Sequence, residues 1–360
     1  MKPMTHGLAG LCALGLLAAP AAAQNLMISS ALPQVHFWTG VSMDGFADAM
    51  EAETDLSFTR FYGGELTAIG RELDALQAGA ADVVSPLLAP YIAGAFPLTD
   101  ITQLPVYGTD SPAITRAFQK LLDSDEVLKD GKTFYQYEIE PKGIRVWALG
   151  ASAAYAISTT GRSIDAPADF QGLPIRAGAA LQTMTLENLG VNPVTMPAAQ
   201  AYEALSRRTL EGILLSVGDW RSYSLEDMLT FTIDGVALGH WESYKAISDA
   251  SWDRLDADQQ AAFDRNARAT ALATADYIEN QEREVRELAS SKGARFIDIA
   301  EMSPEMQAHI ADASLATWRQ WIERTEAAGH PARAAAVIWA RLVQEEGGEL
   351  PAGVAAYLAD

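Results

Sequence analysis

Apolar positions between residues 170 and 220 change repeatedly between the two-residue period of strands and the longer period of helices. Residues 172–176 predict a turn and a short apolar strand. Residues 181–189 carry leucine and methionine near helical spacing and stop at Gly190, a residue typical of helix ends. An extended segment, a helix and a strand follow at 192–197, 198–208 and 213–217. Strands that alternate with helices predict an α/β lobe with a largely parallel sheet.

The rest of the chain adds a second set of elements and no flexible linker or repeat. The patterns predict strands at 25–30, 56–61, 81–84 and 143–150, and helices at 38–50 and 69–77. We therefore expect two lobes joined by strands, with residues 154–158 crossing between them. The predicted first lobe takes 24–150, with about 240–280 returning to it, and the second takes 151–239, with about 281–360 completing it.

Residues 256–291 form the longest helical pattern in the chain. They contain no proline or glycine, Asp256 can act as the N-cap, and Gly293 marks the exit. At 1.5 Å per residue such a helix is about 50 Å long, which is too long for one small lobe. It could lie along an edge of the molecule or form a coiled-coil arm between two copies.

The N-terminus has the pattern of a secretion signal over residues 1–23. Lys2 supplies the positive charge, residues 8–19 are apolar, and a run of three alanines precedes Gln24. A buried N-terminal helix is the alternative. Because the single cysteine, Cys12, lies inside this segment, the exported chain would have no thiol. This signal predicts a periplasmic location.

Charge and motif content exclude several classes of protein. A net charge of −21 without a dense basic cluster argues against a nucleic-acid partner. The chain has no Gly-x-Ser-x-Gly, Ser-x-x-Lys, Gly-x-Gly-x-x-Gly or Walker motif. The histidines beyond the signal are scattered, without an i, i+4 pair, so we predict no metal site and no cofactor.

Arg176 is the candidate binding residue that the pattern itself singles out. It ends a predicted strand, and open α/β sheets bind ligands at the carboxyl ends of their strands. Its planar guanidinium fits a carboxylate through two hydrogen bonds. Spacing alone leaves open that Arg176 caps a strand at the surface.

Four motifs in register resemble a known family. They are Gly172-Leu173-Pro174-Ile175-Arg176, then Leu-Gly-x-x-Pro-x-x-Met-Pro from Leu189, then Tyr-x-Ala-Leu from Tyr202, then Glu-Gly at Glu211. This order resembles the substrate-binding proteins of TRAP transporters, the dicarboxylate-binding-protein family. Segments at 63–79 and 251–259 extend the resemblance over nearly the whole exported chain.

The resemblance implies a fold, a function and a partner. It implies the two-lobed α/β fold of periplasmic binding proteins, with a ligand cleft between the lobes and a long helix spanning both. Arg176 would bind the carboxylate of a small organic acid, the lobes would close by a hinge motion, and TRAP membrane permease subunits would receive the ligand. Such a protein is not an enzyme.

Two departures from the family pattern bear on the ligand. Where many members have a second arginine, this chain has Ala156 beside Tyr155. Where many have Gln-Glu-Asn-Pro, it has Ile213-Leu214-Leu215-Ser216. Both changes remove polar groups, so a second carboxylate or a sugar acid would lack partners. The expected ligand is a compact monocarboxylate with a partly apolar body, such as a short 2-oxo or 2-hydroxy acid or an aromatic acid.

Further residues are candidates for the same cleft, although each is also explained by packing or capping. Trp220 and Trp241 are the aromatic candidates of the second half, and His36 and Trp38 follow the first predicted strand. The complete predicted set of ligand-binding residues is Arg176, Trp220, Tyr155, His36, Trp38, Glu65, Ser216 and Trp241.

Two other functions remain compatible with the sequence. A periplasmic enzyme could use Arg176 to hold an organic acid, and a ligand-sensing module could present its closed form to a receptor kinase. The sequence leaves the ligand's identity open, and the long helix suits either a monomer or a dimer.

Overall fold

The computed structural model describes residues 24–359, which form two lobes, each built on its own sheet. The predicted signal at 1–23 lies outside the described residues. Within residues 24–359, the apolar stretches of the helices are too short for any helix to cross a bilayer.

The strands divide between two large sheets and one small hairpin. In chain order they are β1 Asn25–Ser29, β2 Ser57–Phe61, β3 Val83–Leu87, β4 Val127–Lys129, β5 Lys132–Thr133, β6 Ile144–Ala148, β7 Ala156–Thr159, β8 Pro174–Ala177, β9 Asn192–Thr195, β10 Gly212–Leu215, β11 Phe231–Asp234, β12 Tyr244–Ser248 and β13 Arg295–Asp298.

The helices pack against these sheets and against one another. They are α1 Asp44–Glu53, α2 Glu72–Gln77, α3 Ser111–Leu122, α4 Phe134–Glu138, α5 Ala180–Asn188, α6 Ala201–Ser206, α7 Asp219–Tyr223, α8 Asp249–Trp252, α9 Ala257–Ser291, α10 Pro304–Ala327, α11 Ala332–Glu345 and α12 Val354–Ala359. The predicted helix at 38–50 begins with a π-helical turn, Trp38–Met43, that leads into α1.

Each large sheet is mostly parallel and contains one strand of opposite direction. The first sheet has the order β2-β1-β3-β12-β6, and β12 runs antiparallel to both its neighbours. The second has the order β13-β11-β7-β10-β8-β9, and β7 runs antiparallel to both its neighbours. These two strands are the first that the chain forms after crossing into each lobe. The predicted parallel sheet is therefore correct apart from the strand at which the chain enters.

Two crossing segments connect the lobes and pair with each other. The Ser152 backbone N–H donates to the Trp241 carbonyl at 2.8 Å, and the Tyr155 N–H donates to the Gly239 carbonyl at 2.9 Å. The first crossing lies at 149–155, because β7 already belongs to the second sheet. The crossing predicted at 154–158 therefore lies a few residues too late.

The long helix α9 extends along both lobes, as predicted. It has 35 residues, and Asp256 and Gln259 form a reciprocal capping box at its start. Near its N-terminus Phe263 packs in the core of the first lobe, and near its C-terminus Val285 packs in the core of the second. The helix is therefore a common support for both halves of the molecule.

The C-terminal part of the chain is shared between the lobes, which differs from the prediction. β13 joins the second sheet, and α10 packs against α5 of that lobe. α11 instead packs against α3 of the first lobe, where the fully buried Trp339 enters the core. The assignment of about 281–360 to the second lobe therefore does not hold for α11, because the apolar face of α11 packs against α3.

Candidate functional site

A cavity of about 620 Å³ lies between the lobes, at the carboxyl ends of β1 and β3 on one side and of β8, β9 and β10 on the other. The first lobe lines it with Ala31, Leu32, Pro33, His36, Trp38, Ile69, Leu88 and Tyr91. The second lobe and the crossings line it with Tyr155, Arg176, Pro197, Ala198, Ala199, Tyr202, Leu215, Asp219, Ser222, Tyr223, Ser224 and Trp241.

Arg176 is a buried cation in this cavity that has no anionic partner among residues 24–359. It is 2% exposed, and none of its nitrogens lies within 4.0 Å of a carboxylate oxygen in that range. Its Nε donates to the Met196 carbonyl at 2.9 Å, and its Nη1 donates to the Leu214 carbonyl at 3.2 Å. These bonds use two of five N–H donors and fix the plane of the guanidinium. A desolvated cation with free donors favours an anionic ligand.

Gly178 gives the guanidinium its space. A Cβ atom at this position would lie 2.5 Å from Arg176 Nη2 and 3.0 Å from its Cζ, well inside contact distance. The glycine two residues after the arginine therefore allows the side chain to fold back over the backbone of its own strand end.

Asp219 brings a carboxyl group into the same cavity. It is 3% exposed, its Oδ2 accepts a hydrogen bond from Ser216 Oγ at 2.6 Å, and its Oδ1 lies 4.0 Å from His36 Nε2. Burial raises the pKa of Asp219 to about 6, while the Ser216 bond and the charge of Arg176 limit the rise.

His36 connects the lobes as a neutral imidazole. Its Nδ1 accepts a hydrogen bond from the Trp38 backbone N–H at 3.2 Å, so the ring proton is on Nε2, which donates to Tyr223 Oη at 3.2 Å. Burial lowers the pKa of His36 to about 3. Because Tyr223 accepts from the histidine, its own hydroxyl hydrogen is free to bond a ligand.

Aromatic side chains form the walls of the cavity. The rings of Tyr91 and Trp241 pack with centroids 5.1 Å apart, and Trp38 Nε1 donates to the Gly150 carbonyl at 2.8 Å. Burial raises the pKa of Tyr155 well above its ordinary value, so this tyrosine is a neutral hydrogen-bond donor. The cavity thus combines apolar faces with hydroxyl groups around one cation.

Five of the eight predicted residues line this cavity, and three do not. Arg176, Tyr155, His36, Trp38 and Trp241 come together here. Trp220 is fully buried in the second lobe and stacks on Phe296, because the turn of α7 that points Asp219 inward points its neighbour away. Ser216 supports Asp219 without lining the cavity, and Glu65 is exposed outside it.

Sequence reasoning missed Asp219, Tyr91 and Tyr223. Asp219 lies between two residues that the sequence predicts as ligand contacts, in Ser-Val-Gly-Asp-Trp, so its signal was a lone acid after a buried strand. Tyr91 and Tyr223 had no comparable local signal, because they meet only when the lobes come together. Among residues 24–359, no group of three or more histidine, cysteine, aspartate or glutamate residues is placed to hold a metal ion.

A two-lobed α/β fold defines a ligand-binding protein when its interlobe cleft holds a buried arginine that no carboxylate of residues 24–359 pairs with. The sequence profile of the bacterial extracellular solute-binding protein family 7 matches residues 31–325. The chain belongs to this family.

Solved structures of TRAP solute-binding proteins have the same two-lobed fold. A marine metagenome protein specific for aromatic acid ligands, in complex with metahydroxyphenylacetate, is 19% identical with a TM-score of 0.79 and covers 90% of this chain and 99% of its own. A Rhodoferax ferrireducens protein with copurified benzoate is 20% identical with a TM-score of 0.75, covering 90% and 98%. A Bordetella bronchiseptica protein with bound (R)- and (S)-mandelate is 20% identical with a TM-score of 0.73, covering 89% and 99%.

A curated relative matches part of the chain. The solute-binding protein of Albidiferax ferrireducens is 22% identical over 179 residues, which is 49% of this chain. The match spans about half the length of that relative, 47%.

Proposed function

We propose that this protein is the periplasmic substrate-binding subunit of a TRAP-type importer and that it captures a small organic acid anion through Arg176. The observation that carries the proposal is the buried guanidinium without a carboxylate within 4.0 Å among residues 24–359. A ligand carboxylate would satisfy both its charge and its remaining N–H donors. The protein would bind and release this ligand without chemical change.

Arg176 alone does not provide the affinity that a capture protein needs. A charge-assisted hydrogen bond contributes about 1.5–3 kcal/mol, and micromolar binding requires about 8 kcal/mol. The tyrosine hydroxyls and the burial of the ligand between two lobes would supply the remainder. Closure would shift an existing equilibrium between open and closed forms by the ligand's greater affinity for the closed form.

The walls of the cavity favour a monocarboxylate with an apolar or aromatic body. Tyr91, Tyr155, Trp38 and Trp241 offer ring surfaces, and Arg176 is the one arginine among the lining residues. A second carboxylate would meet the acidic Asp219 without a cation of its own. The aromatic acids, benzoate and mandelate found in the structural relatives are consistent with this class of ligand.

The location and partner follow from the same proposal. The predicted signal at 1–23 would direct the chain to the periplasm, and TRAP membrane permease subunits would receive the ligand. The two lobes would move about the paired crossing segments while α9 bends between them. We expect no nucleic-acid partner.

A thermal-shift screen of the signal-free protein against organic acids tests this function, with Arg176→Ala measured beside it. A ligand present at 100 times its dissociation constant should add about 2.7 kcal/mol of stability. Arg207→Ala is the matched control, because Arg207, just beyond α6, is exposed and pairs with no carboxylate among residues 24–359 except Glu203. We expect monocarboxylate hits that Arg176→Ala abolishes and Arg207→Ala retains. Hits that survive Arg176→Ala, or the lack of any hit, would overturn the proposal, and hits confined to dicarboxylates or sugar acids would overturn the monocarboxylate class of ligand.

A further inference from the structure

Asp219, a residue only 3% exposed, presents to the cavity a carboxylate oxygen that no hydrogen bond within residues 24–359 satisfies. Its Oδ2 accepts from Ser216 Oγ, whereas its Oδ1 has no donor within hydrogen-bond distance in that range. The nearest nitrogen of a titratable side chain is His36 Nε2 at 4.0 Å, and the proton of that nitrogen points to Tyr223. A carboxyl group that is only 3% exposed thus lines the cavity with one oxygen free.

The ionisable groups around Asp219 do not supply the hydrogen bond that its Oδ1 lacks. Arg176 acts on it through space but lies beyond ion-pair distance, and burial together with the charge of Asp219 raises the pKa of Tyr155 and Tyr223, so both phenols stay neutral. Behind it, Glu282 of α9 accepts a hydrogen bond from the Gly218 backbone N–H and pairs with Arg286. Arg286, the cation on that side, is therefore already paired with Glu282.

Ligand binding destabilises the ionised form of Asp219 unless the ligand itself donates a hydrogen bond to it. A carboxylate on Arg176 takes up the positive charge that stabilises the ionised aspartate, and closure removes the remaining water. A buried charge that loses its partners is strongly penalised. Asp219 must then either take up a proton or accept a hydrogen bond from the ligand.

We propose that Asp219 is a specificity-determining residue that selects organic acids carrying a hydrogen-bond donor, a hydroxyl or an ammonium group, next to their carboxylate. The inference rests on the proposed function, in which Arg176 binds that carboxylate. Arg176 would then bind the ligand carboxylate, and Asp219 would accept the hydrogen bond from the donor beside it. A site built to bond a donor discriminates strongly against the analogue that lacks it, because its own polar group stays unpaired.

The same arrangement predicts different pH dependences for the two kinds of acid. An acid without a donor binds only when Asp219 is protonated, so its affinity falls as the pH rises above about 6. An acid with a donor binds to the ionised aspartate and keeps its affinity over this range. The difference between the two ligands therefore widens with pH.

Titration calorimetry with matched acids tests the proposal. Phenylacetate, mandelate and phenylglycine differ only in the hydrogen, hydroxyl or ammonium on the carbon next to the carboxylate. At about pH 8 we expect at least one donor-bearing acid to bind about tenfold or more tightly than its parent, with a smaller advantage at about pH 5. The comparison of mandelate with phenylglycine shows which donor the site takes.

Two variants distinguish the role of Asp219 from that of Ser216, which donates a hydrogen bond to it. Asp219→Ala should bring the matched acids to within about threefold of each other. Ser216→Ala removes the bond to Oδ2 and leaves Oδ1 in place, so the preference should remain. If Asp219→Ala does not fold, the pH dependence of the unmodified protein decides the question by itself.

The outcomes distinguish this inference from the function on which it rests. If donor-bearing and parent acids bind equally at about pH 8, Asp219 does not select the ligand, although the organic-acid function stands. If none of these acids binds and the thermal-shift screen gives no organic-acid hit either, the proposed function is overturned and the inference with it. A preference that persists in Asp219→Ala would assign the selection to another group.

Discussion

Within the described range 24–359, Arg176 is held in place by backbone carbonyls rather than by an acidic side chain. The carbonyls of Met196 and Leu214 accept its hydrogen bonds, and these belong to the segments that follow β9 and end β10. Backbone carbonyls orient the guanidinium without neutralising it. A ligand carboxylate therefore does not have to displace an internal ion pair.

Replacing Gly178 by alanine should weaken ligand binding without a comparable loss of stability. The new methyl group would occupy space 2.5 Å from Arg176 Nη2 and push the guanidinium out of its orientation. Because misplacement of a charge-assisted bond costs about 1.5–3 kcal/mol, we expect the affinity for an acid such as mandelate to fall about tenfold or more.

Gly45→Ala is the control for this substitution. Gly45 lies in α1, and a Cβ atom there has no atom within 4 Å. Alanine at this helical position should leave binding unchanged and add up to about 1 kcal/mol of stability. Equal affinities of the Gly178→Ala variant and the unmodified protein, measured by calorimetry, would show that the guanidinium is not confined as described.

At the scale of elements, the molecule depends on the contact between the first crossing segment and α9. Gly150 has a φ of +108°, and a Cβ atom there would lie 2.8 Å from the Ala271 carbonyl and 3.0 Å from Thr274 Cβ. The crossing therefore touches the long helix through bare backbone. Trp38 donates to the carbonyl of the same glycine, which ties the cavity wall to this point.

Gly150→Ala should destabilise the protein more than an equally strained substitution in open space. Gly293, just beyond α9, also has a positive φ of +96°, but a Cβ atom there would have no neighbour within 4 Å. Overpacking costs about 1–3 kcal/mol beyond the backbone strain that both variants share. Denaturant unfolding should show this difference between Gly150→Ala and Gly293→Ala. Equal losses would mean that the crossing segment does not pack tightly on α9.

Local signals were enough to predict most of the elements. The cap at Asp256, the helix end at Gly190 and the strand that carries Arg176 each depend on a few adjacent residues. The direction of β7 and the packing of α11 on α3 depend on where the chain goes between lobes. No local pattern encodes that route.

The candidate site divides in the same way. Arg176 could be found because a motif and a strand end coincide at one position. Asp219 and Tyr223 lie on α7 of the second lobe, and they meet Tyr91 of the first lobe only across the cleft. The prediction for Trp220 was wrong by one residue, because α7 turns the Trp220 indole into the core and the preceding Asp219 towards the cavity. A lining residue on a short helix can be assigned only when the phase of that helix is known.

At the scale of the whole molecule, buried acids set the dependence of stability on pH. Glu242 lies in the second crossing segment, where its Oε1 accepts hydrogen bonds from the backbone N–H groups of Leu149 and Ser243. Burial raises the pKa of Glu242 from 4.5 to about 8. A raised pKa means that the stability contributed by this group is complete below its ordinary pKa and is lost as the pH rises through about 8.

Glu242→Gln should therefore flatten the pH dependence of unfolding between about pH 6.5 and about pH 8. One proton corresponds to a slope of up to about 1.4 kcal/mol per pH unit. Below 6.5 the lowered pKa values of His36 and His240 act in the opposite direction, and above about 7 the lowered pKa of Lys245 does so, so the variant is compared with the unmodified protein at each pH. Urea unfolding at several pH values measures the slope. An unchanged slope in the variant would contradict the assignment of the raised pKa to Glu242.

The most direct test of ligand capture by this protein is a calorimetric cycle that changes both partners of the Arg176–carboxylate contact. Mandelate and mandelamide are titrated into the unmodified protein and into Arg176→Gln. We expect the amide to bind the unmodified protein about 30-fold more weakly than the acid, since a charge-assisted bond worth about 2 kcal/mol is lost. We expect nearly equal binding of the two ligands to Arg176→Gln. If the amide binds the unmodified protein as well as the acid does, or if the substitution weakens both ligands equally, Arg176 does not bind the carboxylate.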